Sequence, residues 1–209
     1  MPEWDEIFGE KGHVFTEPHE DIPRIADLFI EKGVRRVLDL GCGTGRHLVF
    51  FAKMGFDIHG FDSSSRAISL SEQWLKEENL IAPLQHHQME TVFPYVDNFF
   101  DAIISIQVIH HNLLKDINTT IQEMVRVLRP SGMIFVTFPV LSMGPVTKEA
   151  DWDLKEVEKG TYIPQVGPES GIPHHYFSTI EIPRIFQDFK ILELFIDDSN
   201  HRCILGVRK

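Results

Sequence analysis

Short runs of β-branched and aromatic residues alternate along this chain with stretches whose apolar positions recur every three or four residues. The first kind reads as strand, the second as amphipathic helix. Strands are predicted at 36–40, 56–61, 102–106, 133–138, 191–196 and 203–207, with a weaker one at 83–88. Ile117, Ile121, Met124, Val125 and Leu128 make one helical face, which Pro130 and Gly132 are expected to end. Ala67, Leu70 and Trp74 mark a second helix, and Ile22, Ile25, Ala26 and Phe29 a third. Residues 48–52 are apolar all round, as in a helix packed between layers. Ser178 and Glu181 have the spacing of a capping box, although Pro183 then falls awkwardly inside the helix. Such alternation predicts an α/β fold with a largely parallel sheet.

One segment breaks the rhythm. Residues 139–176 are rich in proline and glycine and lack apolar periodicity. A connection of that length is usually functional or disordered. Because it follows a central strand, it reads as an insertion or lid over the active-site edge.

Composition narrows the partners. The 209 residues fit a single domain, 1–209. Lys and Arg number 20 against 31 Asp and Glu, a net charge of −11, which argues against nucleic acid as partner. The densest basic stretch, 32–36, reads as a solvated helix end, and a small-molecule partner is favoured. No apolar run approaches the roughly 18 residues of a membrane helix, and the acidic start of the chain does not resemble a secretory signal. Cys42 and Cys203 show no metal-ligand spacing, so reduced thiols and a cytoplasmic location are expected. Nothing in the pattern speaks to oligomeric state.

The chemistry concentrates where Val37-Leu38-Asp39-Leu40 runs into Gly41-Cys42-Gly43-Thr44-Gly45 and a helix follows. Glycines there permit a tight turn and bring backbone amides close to a ligand. Asp62 ends the next strand, where a carboxylate can accept hydrogen bonds from a ribose diol. The nicotinamide fingerprint G-x-G-x-x-G and the phosphate loop G-x-x-x-x-G-K-[ST] are both absent, and the spacing here is G-x-G-x-G. A sulfonium cofactor carries no phosphate. It needs close backbone approach and a carboxylate near its ammonium group, which Asp39 could supply. Cys42 reads as a small filler in the loop, Asp101 as either a turn carboxylate or a site residue, and Trp74 as core.

Residues 37–47 resemble motif I of the class I S-adenosylmethionine-dependent methyltransferases, and Gly60-Phe61-Asp62 resembles the acidic motif after it. Residues 100–105 and 128–132 resemble the family's fourth strand and the turn before its fifth. The resemblance implies a Rossmann-like, doubly wound seven-stranded sheet in the order 3-2-1-4-5-7-6 with the last strand antiparallel. It implies S-adenosylmethionine held by Asp39, Gly41, Cys42, Gly43, Thr44, Gly45 and Ser63, with Asp62 on the ribose hydroxyls. Gln88 and Met89 stand where the family usually has an acidic adenine contact, and Ile106 and Gln107 would line the cleft.

Methyl transfer is a direct displacement, so the protein mainly holds the reactants in line and excludes water. A base is needed only for a protonated acceptor, and histidine suits that role. His110 and His111 follow the fourth strand at the edge where ligands of such sheets gather. His174 and His175 close the proline- and glycine-rich segment, while His86 and His87 read as exposed strand residues. His174, His175 and Tyr162 are expected to line the acceptor pocket, with His110 or His111 as an alternative base. No pair has metal-ligand spacing, and no metal is expected. Gly160-Thr161-Tyr162 and the stretch 171–177 loosely resemble tellurite-resistance methyltransferases, as does Trp4-Asp5-Glu6-Ile7-Phe8. That second likeness suggests that residues 1–17, through Trp4, Phe8 and Phe15, form a flap over the cofactor. Two readings stay open: a methyltransferase acting on a small molecule, and a non-catalytic S-adenosylmethionine-binding protein of the same fold.

Overall fold

The glycine loop owes its position to the sheet beneath it. The computed structural model describes residues 4–13, 15–141 and 153–209. In chain order the elements are α1 (Trp4–Lys11), α2 (Ile22–Glu31), β1 (Arg36–Leu40), α3 (Arg46–Lys53), β2 (Asp57–Asp62), α4 (Ser65–Glu77), β3 (Leu84–His86) and β4 (Phe100–Ile106). Then follow α5 (Leu114–Val127), β5 (Leu128–Pro139), β6 (Leu154–Glu158), β7 (Thr161–Pro164), β8 (His174–His175), α6 (Ile182–Ile185), β9 (Phe189–Ile196) and β10 (His201–Arg208).

Seven strands form one sheet in the order β3-β2-β1-β4-β5-β10-β9. The first five are parallel, and β10 runs antiparallel to both its neighbours. This is the expected 3-2-1-4-5-7-6 order, with β9 and β10 as its sixth and seventh strands.

Successive residues of a strand point to opposite faces, and both faces here are covered. Val37, Ile58, Ile104 and Phe135 pack with α2, α3 and α4 through Ile25, Phe29, Leu48, Phe51 and Leu75. Leu38, Phe61, Ile103 and Val136 pack with α5 and α6 through Ile117, Ile121, Met124 and Ile182. Burying each such side chain contributes about 1.5–3 kcal/mol. Trp74 is half-buried against the first cluster, as expected of a core residue.

Three local expectations change. Helix α5 has already ended at Val127, so Pro130 and Gly132 do not stop it. They lie inside β5, where Phe100 pairs with Leu128 and Ala102 next with Met133, and the intervening residues bulge out with Ser131 at φ 61°. The Ser178–Glu181 box forms, with the Glu181 amide donating to Ser178 Oγ at 3.2 Å. Helix α6 starts only at Ile182, which puts Pro183 in the first turn, where a missing N–H costs nothing.

The third change concerns 139–176, which carries structure of its own. β6, β7 and β8 form a three-stranded antiparallel sheet. Gly160 turns the β6–β7 hairpin at φ 81°. Residues 142–152 of the expected lid, and 1–3 and 14 of the expected flap, lie outside the described residues. Among the described residues no helix is long and apolar enough to cross a membrane.

Candidate active site

At the carboxyl end of β1 the chain turns sharply. Gly41, Gly43 and Gly45 have φ of 73°, 52° and 95°, a region that side-chain-bearing residues rarely adopt. Space is short as well. A Cβ on Gly41 would overlap the Val108 side chain, and one on Gly45 would lie 2.9 Å from Ser71 Oγ. The amides of Gly41 and Cys42 both donate to the Phe61 carbonyl at 3.0 Å, and Ser71 Oγ donates to the Gly43 carbonyl at 2.8 Å. The loop is therefore pinned from β2 and α4. Thr44 is buried within it, and Cys42 is buried against Gly60. Burial pushes the Cys42 thiol up, which fits a filler role rather than a nucleophile.

Two carboxylates flank the loop. Asp62 Oδ2 accepts the Gly43 amide at 2.8 Å, and Oδ1 accepts the Ser64 amide at 2.9 Å. Each oxygen keeps a second lone pair, so two further donors can be accepted. Burial raises the Asp62 pKa, and the two amides oppose the rise. Asp39 is almost fully buried, and its Oδ2 has no hydrogen-bond partner. The nearby ring of His47, whose pKa burial pushes down, has its Nδ1 3.9 Å away, beyond hydrogen-bond reach. Burial pushes the Asp39 carboxyl up to about 8, with nearby Arg46 opposing and Asp62 adding. A buried carboxylate oxygen without a partner is costly, and an incoming ammonium would satisfy it. The donor set therefore fits an adenosyl sulfonium cofactor: an orphaned carboxylate, three glycines at positive φ and a carboxylate with spare acceptor capacity.

Helix α1 lies over this cradle. Asp5 accepts from Ser64 Oγ at 2.5 Å, Ser65 Oγ at 3.1 Å and the Arg66 amide at 3.0 Å, joining α1 to the start of α4. Those hydrogen bonds hold the Asp5 carboxyl below its ordinary range. Phe8 reaches to within 3.8 Å of where a Gly43 Cβ would sit. Trp4 packs on Phe8 at 6.0 Å and on His111 at 5.0 Å between ring centroids. Trp4 and Phe8 thus lie between the glycine loop and the histidines past β4. Phe15 is exposed and lies under the Arg46 guanidinium.

The remaining expected cofactor residues surround the same edge. Ser63 and Gln88 are exposed, Met89 is half-buried against the cluster holding Phe61 and Phe93, and Ile106 is buried. Gln107 follows β4 at φ 62°, held by its amide and its side-chain nitrogen, both donating to Thr137. Backbone strain of this kind clusters at functional edges. Asp101 resolves as structural. It accepts the Arg35 and Arg36 amides at 2.8 and 2.9 Å and pairs with Arg129.

Past β4, histidines from two distant segments meet. The His175 amide donates to the His110 carbonyl at 2.8 Å, which lays β8 along the loop after β4. His110, His111 and His174 then converge, with ring centroids 3.8, 4.8 and 5.6 Å apart. Glu169 joins them: its Oε2 lies 2.6 Å from His174 Nε2 and 3.5 Å from His111 Nε2. The histidine contacts hold the Glu169 carboxyl well below the usual range, despite its burial. Burial pushes His110 and His111 down.

The two adjacent histidines part company. Being neighbours on a strand, His174 and His175 face opposite ways. His175 Nδ1 meets Thr161 Oγ1 at 2.7 Å, and that hydroxyl donates to Glu158 at 2.9 Å. Tyr162 pairs with His174 across β7 and β8 and packs on Tyr176. His86 is exposed, its ring meeting the Ser63 carbonyl. Sequence reading missed Glu169 and Val108. Each acts across a large separation, and neither carries a local motif.

Residues 38–136 match a family model described as a methyltransferase domain. YqeM of Bacillus subtilis, itself assigned as a methyltransferase, is 34% identical over 131 residues, covering 59% of this chain and 51% of that protein. The chain thus spans about half the length of that relative. A ubiquinone biosynthesis O-methyltransferase of Dechloromonas aromatica is 23% identical over 170 residues, 74% of this chain and 72% of the relative. Among solved structures, an S-adenosylmethionine-dependent methyltransferase of Methanosarcina mazei shares the fold, with a TM-score of 0.75 and 18% identity. That match covers 92% of this chain and 98% of the other.

Proposed function

We propose that this chain is a class I S-adenosylmethionine-dependent methyltransferase that transfers the cofactor's methyl group to a small-molecule acceptor. The observation that carries the reading is the unpartnered, buried Oδ2 of Asp39 beside three glycines at positive φ. Bound there, the cofactor supplies an electrophilic methyl on a sulfonium centre, open to in-line displacement.

The chain's own residues do the rest. Gly41, Gly43 and Gly45 bring backbone close to the ligand, and Asp39 balances its ammonium charge. Asp62 receives the ribose hydroxyls on its spare lone pairs, while Gln88 and Met89 lie toward the adenine end. Helix α1, with Trp4 and Phe8, acts as the flap and excludes water. The small sheet of β6, β7 and β8 walls the acceptor side, where His110, His111 and His174 gather and Tyr162 and His175 flank them. The net charge of −11 and the likeness to a ubiquinone biosynthesis enzyme support a small molecule over nucleic acid. Two buried cysteines, both unpaired, support a cytoplasmic setting.

The test is an acceptor screen that follows S-adenosylhomocysteine across phenols, amines, thiols and oxyanions, with transfer RNA as an added arm. Turnover confined to one small-molecule class is expected. Methylation of the RNA alone would overturn the acceptor class. Tight cofactor binding without any turnover would favour the non-catalytic reading.

A further inference from the structure

Glu169 and His174 are too close to face each other without a cation between them. His174 Nδ1 meets the Ile172 carbonyl at 2.8 Å, and a carbonyl can only accept, so the proton sits on Nδ1. That leaves the lone pair of a neutral ring on Nε2, which points at Glu169 Oε2 2.6 Å away. Either a proton or a metal ion must bridge the two. A histidine whose Nδ1–H is fixed by a backbone carbonyl is also the usual support of an Nε2 metal ligand.

The surroundings extend the case. One ring nitrogen from each of His110, His111 and His174 lies within 4.8 Å of the others. Metal–imidazole bonds of about 2.0–2.1 Å would need these rings to draw in by roughly 1 Å. Nδ1 of His110 is buried with no hydrogen-bond partner, an uncompensated cost in a ring that is 2% exposed. Trp4 covers His111 from α1, which shields the group from water.

We propose that His110, His111 and His174, with Glu169 beside them, bind one divalent transition-metal ion of the zinc class. Imidazole donors with a single carboxylate suit zinc, and three histidines with Glu169 make a four-ligand set that zinc can expand to a fifth. On binding, the ion replaces the proton shared by Glu169 and His174, which passes to solvent. A fifth position would take the anionic oxygen, nitrogen or sulfur of an acceptor. The sequence argued against a metal because it showed no ligand spacing, but these ligands come from two segments that only the fold brings together. Metal binding stands independently of methyl transfer; the acceptor role rests on the proposed function.

The experiment titrates Co²⁺ and Zn²⁺ into the full, untagged, chelator-stripped chain. One ion per chain is expected, with visible d–d bands for Co²⁺ and imidazole scattering in X-ray absorption at the zinc edge. Glu169→Gln should weaken binding roughly 10–100-fold, and His111→Ala and His174→Ala by at least that factor. The wild-type absorption spectrum decides the matter even where a variant fails to fold. Absence of stoichiometric binding, a spectrum without imidazole, or affinity unchanged in folded variants would overturn the site. Calorimetry with S-adenosylmethionine on the metal-free chain separates the two claims, since loss of that binding would strike the cofactor reading and leave the metal site standing.

Discussion

The Asp62 carboxylate accepts the Gly43 amide at 2.8 Å, and this hydrogen bond ties the glycine loop after β1 to the end of β2. The same side chain accepts the Ser64 amide, so one residue shapes the loop and also starts α4. Replacing it should therefore show in two measurements. Asp62→Ala leaves the buried Ser64 amide unpaired, at about 1–3 kcal/mol, and frees the half-buried Gly43 amide, which denaturant unfolding should read as lost stability. Cofactor affinity should fall at least about tenfold, the equivalent of about 1.4 kcal/mol. An unchanged affinity would remove Asp62 from the ribose site.

Gly41 meets two obstacles, and they can be separated. Gly41→Ala adds a Cβ that overlaps Val108 and places alanine at φ 73°. Thermal unfolding should show a loss of more than the ~1–2 kcal/mol that left-handed backbone alone costs. The pair Gly41→Ala with Val108→Ala should recover the steric part and leave the backbone part. If the pair is no more stable than the sum of the two single changes, Val108 is not the obstacle.

Asp39 makes cofactor binding depend on pH. Its carboxyl sits at about 8 in the fold against an ordinary 3.8, so at neutral pH it is mostly protonated. A cation arriving beside it favours the carboxylate, so a proton must leave as the cofactor binds. Affinity should rise with pH until about 8 and then level off. Calorimetry in buffers of different ionisation enthalpy should register close to one proton released per cofactor at pH 7. The same group acts on the empty protein with the opposite sign. Its raised pKa contributes stability that is complete below about pH 4 and is lost as pH rises through about 8. A pH-independent affinity between these limits would contradict the placement of Asp39.

Much of this was legible beforehand. The strands and helices that carry the cofactor loop declared themselves because each buries one apolar face or both. The sheet of β6, β7 and β8 did not, since Lys155 and Glu156 are exposed and the strands are short. The segment of helix α1 stood out only through a loose resemblance, because Asp5, Trp4 and Phe8 hold it without a regular apolar stripe. Asp39, the glycines and Asp62 could be found because they lie in one local motif. Glu169 could not, because its partners His111 and His174 reach it only after β8 docks on the loop past β4.

Asp5 offers a way to test the flap. It caps α4 through Ser64, Ser65 and Arg66, and it is the polar tether of α1. Asp5→Ala should expose residues 4–11 to proteolysis while the rest of the chain resists. Stability should drop by about 1 kcal/mol, the usual worth of a capping interaction. Cleavage at the same rate as in the wild type would mean that α1 is held by Trp4 and Phe8 alone.

The central claim is that the loop from Asp39 to Gly45 is a site for S-adenosylmethionine. Titration calorimetry of the full chain with S-adenosylmethionine, S-adenosylhomocysteine and NAD tests it most directly. The expected result is one adenosyl ligand bound per chain, weakened by Asp62→Ala, with no heat from NAD. Silence from both adenosyl ligands at millimolar concentration, or saturable binding of NAD in their place, would contradict it.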